Sequence, residues 1–136
     1  MSPEENKAAL LTALRAFNDE QRREEYFRLY ADQAVLHRAP PLAPGLEAIK
    51  EWYRSLWRSF PDAQIVVGHV IGDREFVASN FRLQGTHRGP FLGALESGKR
   101  IDVEGVTILR FRDGKCVERW SQTDLMGIRR QIGASV

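Results

Sequence analysis

Cysteine is almost missing from this chain, and Cys116 stands alone. Without a partner it closes no disulfide within the chain, and a lone thiol fits a reducing, cytoplasmic setting. Histidine is scarce as well: His37, His69 and His87 lie far apart, and no His-x-x-x-His or Cys-x-x-Cys pair occurs. Metal dependence is therefore not expected. No apolar run approaches the roughly 20 residues of a membrane span, and Met-Ser-Pro-Glu-Glu-Asn-Lys lacks the layout of a signal peptide. A charge excess is absent too, with 20 Lys and Arg against 18 Asp and Glu, a formal +2 spread along the chain. Nucleic acid is not an expected partner, and Arg22-Arg23 and Arg129-Arg130 read as solvated helix faces. Nucleophile motifs of the Gly-x-Ser-x-Gly type and phosphate-binding glycine loops are missing as well.

What remains is a chain of 136 residues with an ordinary apolar content, long enough for one core and one domain over 1–136. Ser2-Pro3-Glu4-Glu5 is a helix-start signature, and Leu10, Ala13, Leu14 and Phe17 follow at helical spacing. A second helical stretch is expected over about 21–30, then a short strand at 34–38 and a rigid loop, Ala39-Pro40-Pro41-Leu42-Ala43-Pro44-Gly45. The clearest helix comes next, with Leu46, Ile49, Tyr53, Leu56, Trp57 and Phe60 on one face and Glu47, Lys50, Glu51, Arg54 and Arg58 on the other, ended by Pro61. Strands are expected over 63–71, 76–86, 101–111 and 115–123, with turns at Gly72-Asp73 and Asp113-Gly114, and a last helix over about 125–132. This order predicts an α+β fold in which a curved antiparallel sheet wraps around helices as a cone, open at one end to a small-molecule pocket. Gly85 and Gly105, inside otherwise good strands, mark bulges or close backbone approaches and are the expected bending points.

Several stretches carry a resemblance. Tyr30-Ala31-Asp32-Gln33-Ala34-Val35, Gly85-Thr86-His87-Arg88-Gly89-Pro90-Phe91-Leu92-Gly93, Gly98-Lys99-Arg100-Ile101, the run from Phe111 to Trp120 and the closing run from Asp124 to Gly133 resemble the SnoaL-like polyketide cyclases of the nuclear transport factor 2-like superfamily. The match runs in order from about Phe17 to Gly133. It implies the cone fold and, in its characterised cyclases, an aspartate on the final strand that acts as acid/base in an intramolecular aldol condensation closing a ring of an aromatic polyketide ester. Asp124 matches that position by its spacing from Trp120. Thr107 stands where relatives often present a more strongly polar side chain.

With no bulge in the last strand, alternation puts Glu118, Trp120, Gln122 and Asp124 on one side, and Trp120 favours that side facing inward. A carboxylate beside an indole in a dry cavity would have its pKa raised towards the range useful for moving a proton. Gln122, His87 or His37 could then hold a developing enolate oxygen. Asp124 also suits the N-cap of the last helix, and the two roles stay open together. Tyr30, Trp57 and Trp120 are the aromatic pocket candidates, Tyr53 and Phe60 read as core, and Asp102, Glu104 and His69 are expected on the outer sheet face. The functional expectation is a cofactor-independent enzyme of the SnoaL-like type, moving a proton on an apolar carbonyl or ester substrate. The alternative is a binding or accessory protein with the same pocket and no chemistry. A homodimer is expected from the family's habit and the broad outer face of a curved sheet.

Overall fold

The computed structural model describes residues 2–134. Helix α1 (Pro3–Phe17) starts as the sequence predicts. Ser2 Oγ accepts the Glu5 N–H at 3.1 Å, and the Glu5 carboxylate accepts the Ser2 N–H at 3.2 Å, closing a capping box with proline in the first turn. The expected second helix is shorter and tighter, a 3-10 helix over Arg23–Leu29. It stops there because Tyr30 already opens strand β1 (Tyr30–His37) by pairing with Cys116.

Helix α2 (Leu46–Ser59) buries Ile49, Tyr53, Leu56 and Trp57 on one face, as its pattern requires. Strands β2 (Gln64–Asp73), β3 (Phe76–Thr86), β4 (Arg100–Arg112) and β5 (Lys115–Thr123) follow, and helix α3 (Leu125–Gln131) comes last. The β2–β3 turn falls at Arg74 and Glu75, two residues beyond Gly72-Asp73. The β4–β5 hairpin turns where expected, with Asp113 at φ 51° and Gly114 at φ 81°, the left-handed pair that a tight hairpin needs.

Five strands form one curved, unclosed sheet in the order β1-β5-β4-β3-β2. Strands β2 to β5 are an antiparallel meander, but β1 runs parallel to β5. The curved antiparallel sheet is thus as expected over four strands, with β1 added in parallel at one edge. The two strands that flank α2 in sequence are the two sheet edges, so the helix carries the chain from one edge to the other, which is the crossover a parallel pairing requires. The helices and the concave face share one core, with Leu10, Phe17, Tyr26, Ile49 and Phe60 against Val77, Ile101, Leu109 and Phe111.

The two glycines act by close approach rather than by bulging. Pairing of β3 with β4 is unbroken through Gly85 and Gly105. At Gly105 a Cβ would run into the Phe81 ring and meet the Gln122 carbonyl at 2.8 Å, so the missing side chain lets an aromatic lie across the strand. The bulges lie elsewhere, between Val67 and Val70 in β2 and beside Arg110 and Phe111 where β4 pairs with β5.

Candidate functional site

That last irregularity decides which side chains of β5 face the interior. Arg110 pairs with Glu118 and Phe111 with Cys116, so Val117 is an extra residue with no partner on β4. One inserted residue reverses the alternation beyond it. Cys116 is inward before the bulge, and Arg119 is inward after it, only 5% exposed; Trp120 is 37% exposed on the convex face. The inward placing of Glu118, Trp120 and Asp124 is therefore corrected: Arg119, Ser121 and Thr123 line the cavity, and of the expected set only Gln122 borders it.

The cavity has a volume of about 90 Å³. Ligand sites typically span roughly 300–1,000 Å³, so a ring system would occupy the mouth as well as the interior. Its walls are apolar, from Leu14, Phe17, Leu36, Leu56, Leu83 and Phe91 among others, with Leu125 and Ile128 of α3. Its polar groups are Ser79, Ser121, Gln122, Thr123, Tyr26 and Tyr53, together with two arginines, Arg38 and Arg119. Among the described residues no aspartate, glutamate or histidine lines it.

Arg119 is the centre of this arrangement. Its Nε donates to Thr107 Oγ1 at 2.8 Å, and its Nη1 donates to the hydroxyls of Tyr26 at 2.8 Å, Tyr30 at 2.7 Å and, more weakly, Tyr53 at 3.4 Å. Thr107 passes the contact on by donating to the Trp120 carbonyl at 3.0 Å. Among the described residues no carboxylate lies within ion-pair distance of this guanidinium, and its Nη2 makes no hydrogen bond. Burial works against its charge, while the three phenols favour it, and the group stays protonated. Burial also pushes the Tyr26 and Tyr30 phenols well above the usual tyrosine range, against the pull of Arg119, so both are neutral. Tyr53 accepts from Tyr30 at 3.5 Å and from Arg119, and the residue also lines the cavity. The cavity thus presents the Arg119 Nη2 and the Tyr53 phenol, and no carboxylate among the described residues lines it.

At the mouth, Arg38 lies flat over the Trp52 indole with its guanidinium carbon 3.5 Å from the ring centroid, a cation–π contact. Its Nη1 donates to the Pro40 carbonyl at 2.9 Å, and burial lowers its pKa from the usual arginine value.

The candidates named from sequence are scattered by this geometry. Tyr30 braces Arg119 from behind. Trp57 packs among Phe17, Tyr26, Phe27 and Tyr53 and does not line the cavity. Gln122 is exposed and borders both the cavity and a shallow groove on the convex face. His37 and Trp120 stack on that convex face, centroids 5.4 Å apart, and His37 Nε2 bonds Glu118 at 2.7 Å. His87 is fully buried but serves its own loop: Nδ1 accepts the Ser97 N–H at 3.1 Å, against the Phe60 ring. His69, Asp102 and Glu104 are exposed as expected, and both acids pair with Arg82.

Asp124 takes the capping alternative. Its Oδ1 accepts the Gly127 N–H at 2.8 Å, and Arg130 is 4.0 Å from Oδ2. A Cβ on Gly127 would collide with that carboxylate, so the glycine and the cap belong together. The carboxylate is half-exposed and borders the convex groove, with Glu104, Arg82 and Asn80 around it. Cys116 is buried behind the site and its thiol is pushed up to about 11, chiefly by burial.

Sequence reasoning missed Arg119, Tyr26, Tyr53 and Arg38. An arginine inside a strand gave no cue, because its inward turn depends on the bulge at Val117.

Comparison with known proteins places this architecture. The family model of the SnoaL-like polyketide cyclases matches residues 7–132, and the chain belongs to that family. Among solved structures it is similar to AclR from Streptomyces galilaeus, provisionally named a hydroxylase, at 25% identity and TM-score 0.85, covering 97% of this chain and 98% of that one. It is also similar to a provisionally named SnoaL-like polyketide cyclase from Jannaschia sp. CCS1, at 26% identity and TM-score 0.84, covering 100% and 98%. IdmH from Streptomyces antibioticus, provisionally named a polyketide cyclase, shares 27% identity at TM-score 0.78, covering 98% and 100%. No curated protein sequence matches. Among the described residues no helix is long and apolar enough to cross a membrane.

Proposed function

We propose that the chain, as one domain, acts on an aromatic or polycyclic carbonyl compound in the manner of its family, with Arg119 and Tyr53 holding the carbonyl oxygen. The observation that carries this reading is the buried guanidinium whose Nη2 has no partner on a cavity wall. Donors fixed before the ligand arrives favour the enolate over the neutral carbonyl, because negative charge develops on the oxygen they face. The proton next to that carbonyl becomes more acidic, and its acceptor is water at the mouth or a basic group of the ligand. The reading invokes no cofactor.

Deuterium exchange at the α-carbon of 2-tetralone, followed by NMR in D₂O, tests it. The protein should accelerate exchange, Arg119→Met should remove the acceleration, and Asp124→Asn should leave both the cap and the exchange in place. Loss of exchange in a folded Asp124→Asn protein would instead restore the aspartate as acid/base. The missing carboxylate and imidazole in the cavity also favour a second reading, a protein that binds such compounds without converting them. Full ligand binding with no exchange in the wild type would select it.

The homodimer belongs to this reading too. Val66, Val106, Ile108 and Trp120 are exposed together on the convex face, where an apolar patch calls for cover. Light scattering at micromolar concentration should give twice the chain mass, and a monomer would contradict it.

A further inference from the structure

The geometry points to a substrate that carries an ionised acid group, a free carboxylate rather than its neutral ester. The inference deepens the proposed function, because it concerns the same cavity. Two full positive charges border that cavity, Arg119 inside and Arg38 at the mouth, and among the described residues no acid lines it. Several arginines outside the cavity have acid partners, while Arg23, part-buried at the surface, is served by the Phe17 and Pro61 carbonyls. Arg82 has Asp102 and Glu104, Arg54 has Glu24, Arg22 has Glu25, and Arg110 has Glu118. Arg119 has only neutral oxygens, from Thr107, Tyr26, Tyr30 and Tyr53, and its Nη2 is unused.

A buried cation served only by phenols is incompletely compensated, so the anion that completes it gains a charge-assisted hydrogen bond in a dry site. Nη2 carries two N–H groups: one serves the carbonyl oxygen beside the Tyr53 hydroxyl, and the other donates to a carboxylate oxygen of the same ligand. Arg38 serves the same end at the mouth. Its guanidinium stacks on Trp52 and its one side-chain hydrogen bond goes to a carbonyl, so its charge too is unanswered by any acid among the described residues. An ester would bury the same ring but leave both cations without an anion.

The experiment compares 2-naphthoate with methyl 2-naphthoate and with 2-naphthamide by isothermal titration calorimetry at low salt. The acid should bind at least about tenfold tighter than either neutral partner, the range expected for a hydrogen bond to a charged group. Arg119→Met should bring the acid and ester within about twofold, and Arg38→Met should cut the preference part of the way. Should Arg119→Met fail to fold, the wild type still decides: affinity for the acid must fall as the pH drops through naphthoic acid's own pKa, while ester affinity stays level. Equal or tighter binding of the ester overturns the acid preference and leaves the cavity reading standing. Failure of all three probes to bind overturns both.

Discussion

Arginine occurs on both faces of the sheet, and the two environments differ in kind. On the convex face Arg82 donates to Asp102 at 2.8 Å and to Glu104 at 2.9 Å, all three half-exposed or more. On the concave face Arg119 is buried, and no acid lies within reach among the described residues. Exposed pairs contribute about 0–1 kcal/mol, whereas a desolvated charge costs several kcal/mol unless fully compensated. A convex-face arginine is thus cheap to keep and cheap to lose. A concave-face arginine persists against its own desolvation, and under the proposed reading the ligand's anion offsets that cost.

Giving Arg119 the acid it lacks should erase the difference. Thr107→Asp places a carboxylate where Nε now donates at 2.8 Å, and affinity for 2-naphthoate should drop by about 100-fold, two charge-assisted bonds' worth, while the protein stays folded. Calorimetry beside circular dichroism checks both halves. The frame that separates the faces is the next target. Gly105→Ala would push a methyl into the Phe81 ring and the Gln122 carbonyl, costing about 1–3 kcal/mol by overpacking, read as a lower midpoint in urea unfolding. Unchanged stability would show that the close approach at Gly105 is not a constraint.

The cone was legible because it rests on strong local signals. The Ser2 capping box, the amphipathic pattern of α2 and the Asp113-Gly114 turn each fix a segment without help from the rest of the chain. The site was not legible, and one residue explains most of the failure. Val117 has no partner on β4, and nothing in Lys115-Cys116-Val117-Glu118-Arg119-Trp120 announces it. Hydrophobic reasoning put Trp120 inside, and the bulge put Arg119 there. The parallel seating of β1 on β5 was hidden for a related reason, since pairing between distant segments leaves no short-range mark. Asp124 was located correctly on the chain, and the choice between its two roles needed the position of the Gly127 N–H.

Asp124 supplies a smaller test of the same division. If it caps α3 from the convex side, Asp124→Ala should cost about 1 kcal/mol in urea unfolding, and Asn, which caps as well, should restore nearly all of it. An aspartate held in the cavity for chemistry would behave otherwise, with Asn as damaging to turnover as Ala and neither strongly affecting stability.

The smallest expected effect lies at the convex edge, where Glu118 accepts from His37 and Arg110. The His37 hydrogen bond, then that from Arg110, hold its carboxyl below the usual glutamate range. A carboxyl with a lowered folded-state pKa binds fewer protons folded than unfolded, so its contribution is present above the ordinary glutamate pKa. That contribution is lost as the pH falls through the lowered folded value. Glu118→Gln should therefore leave acid unfolding slightly less steep at its upper end and leave 2-naphthoate binding at neutral pH untouched. A change in that binding would mean that the two faces of β5 are coupled through the Trp120 carbonyl and Thr107, and that the convex pairings help set the charge environment of Arg119.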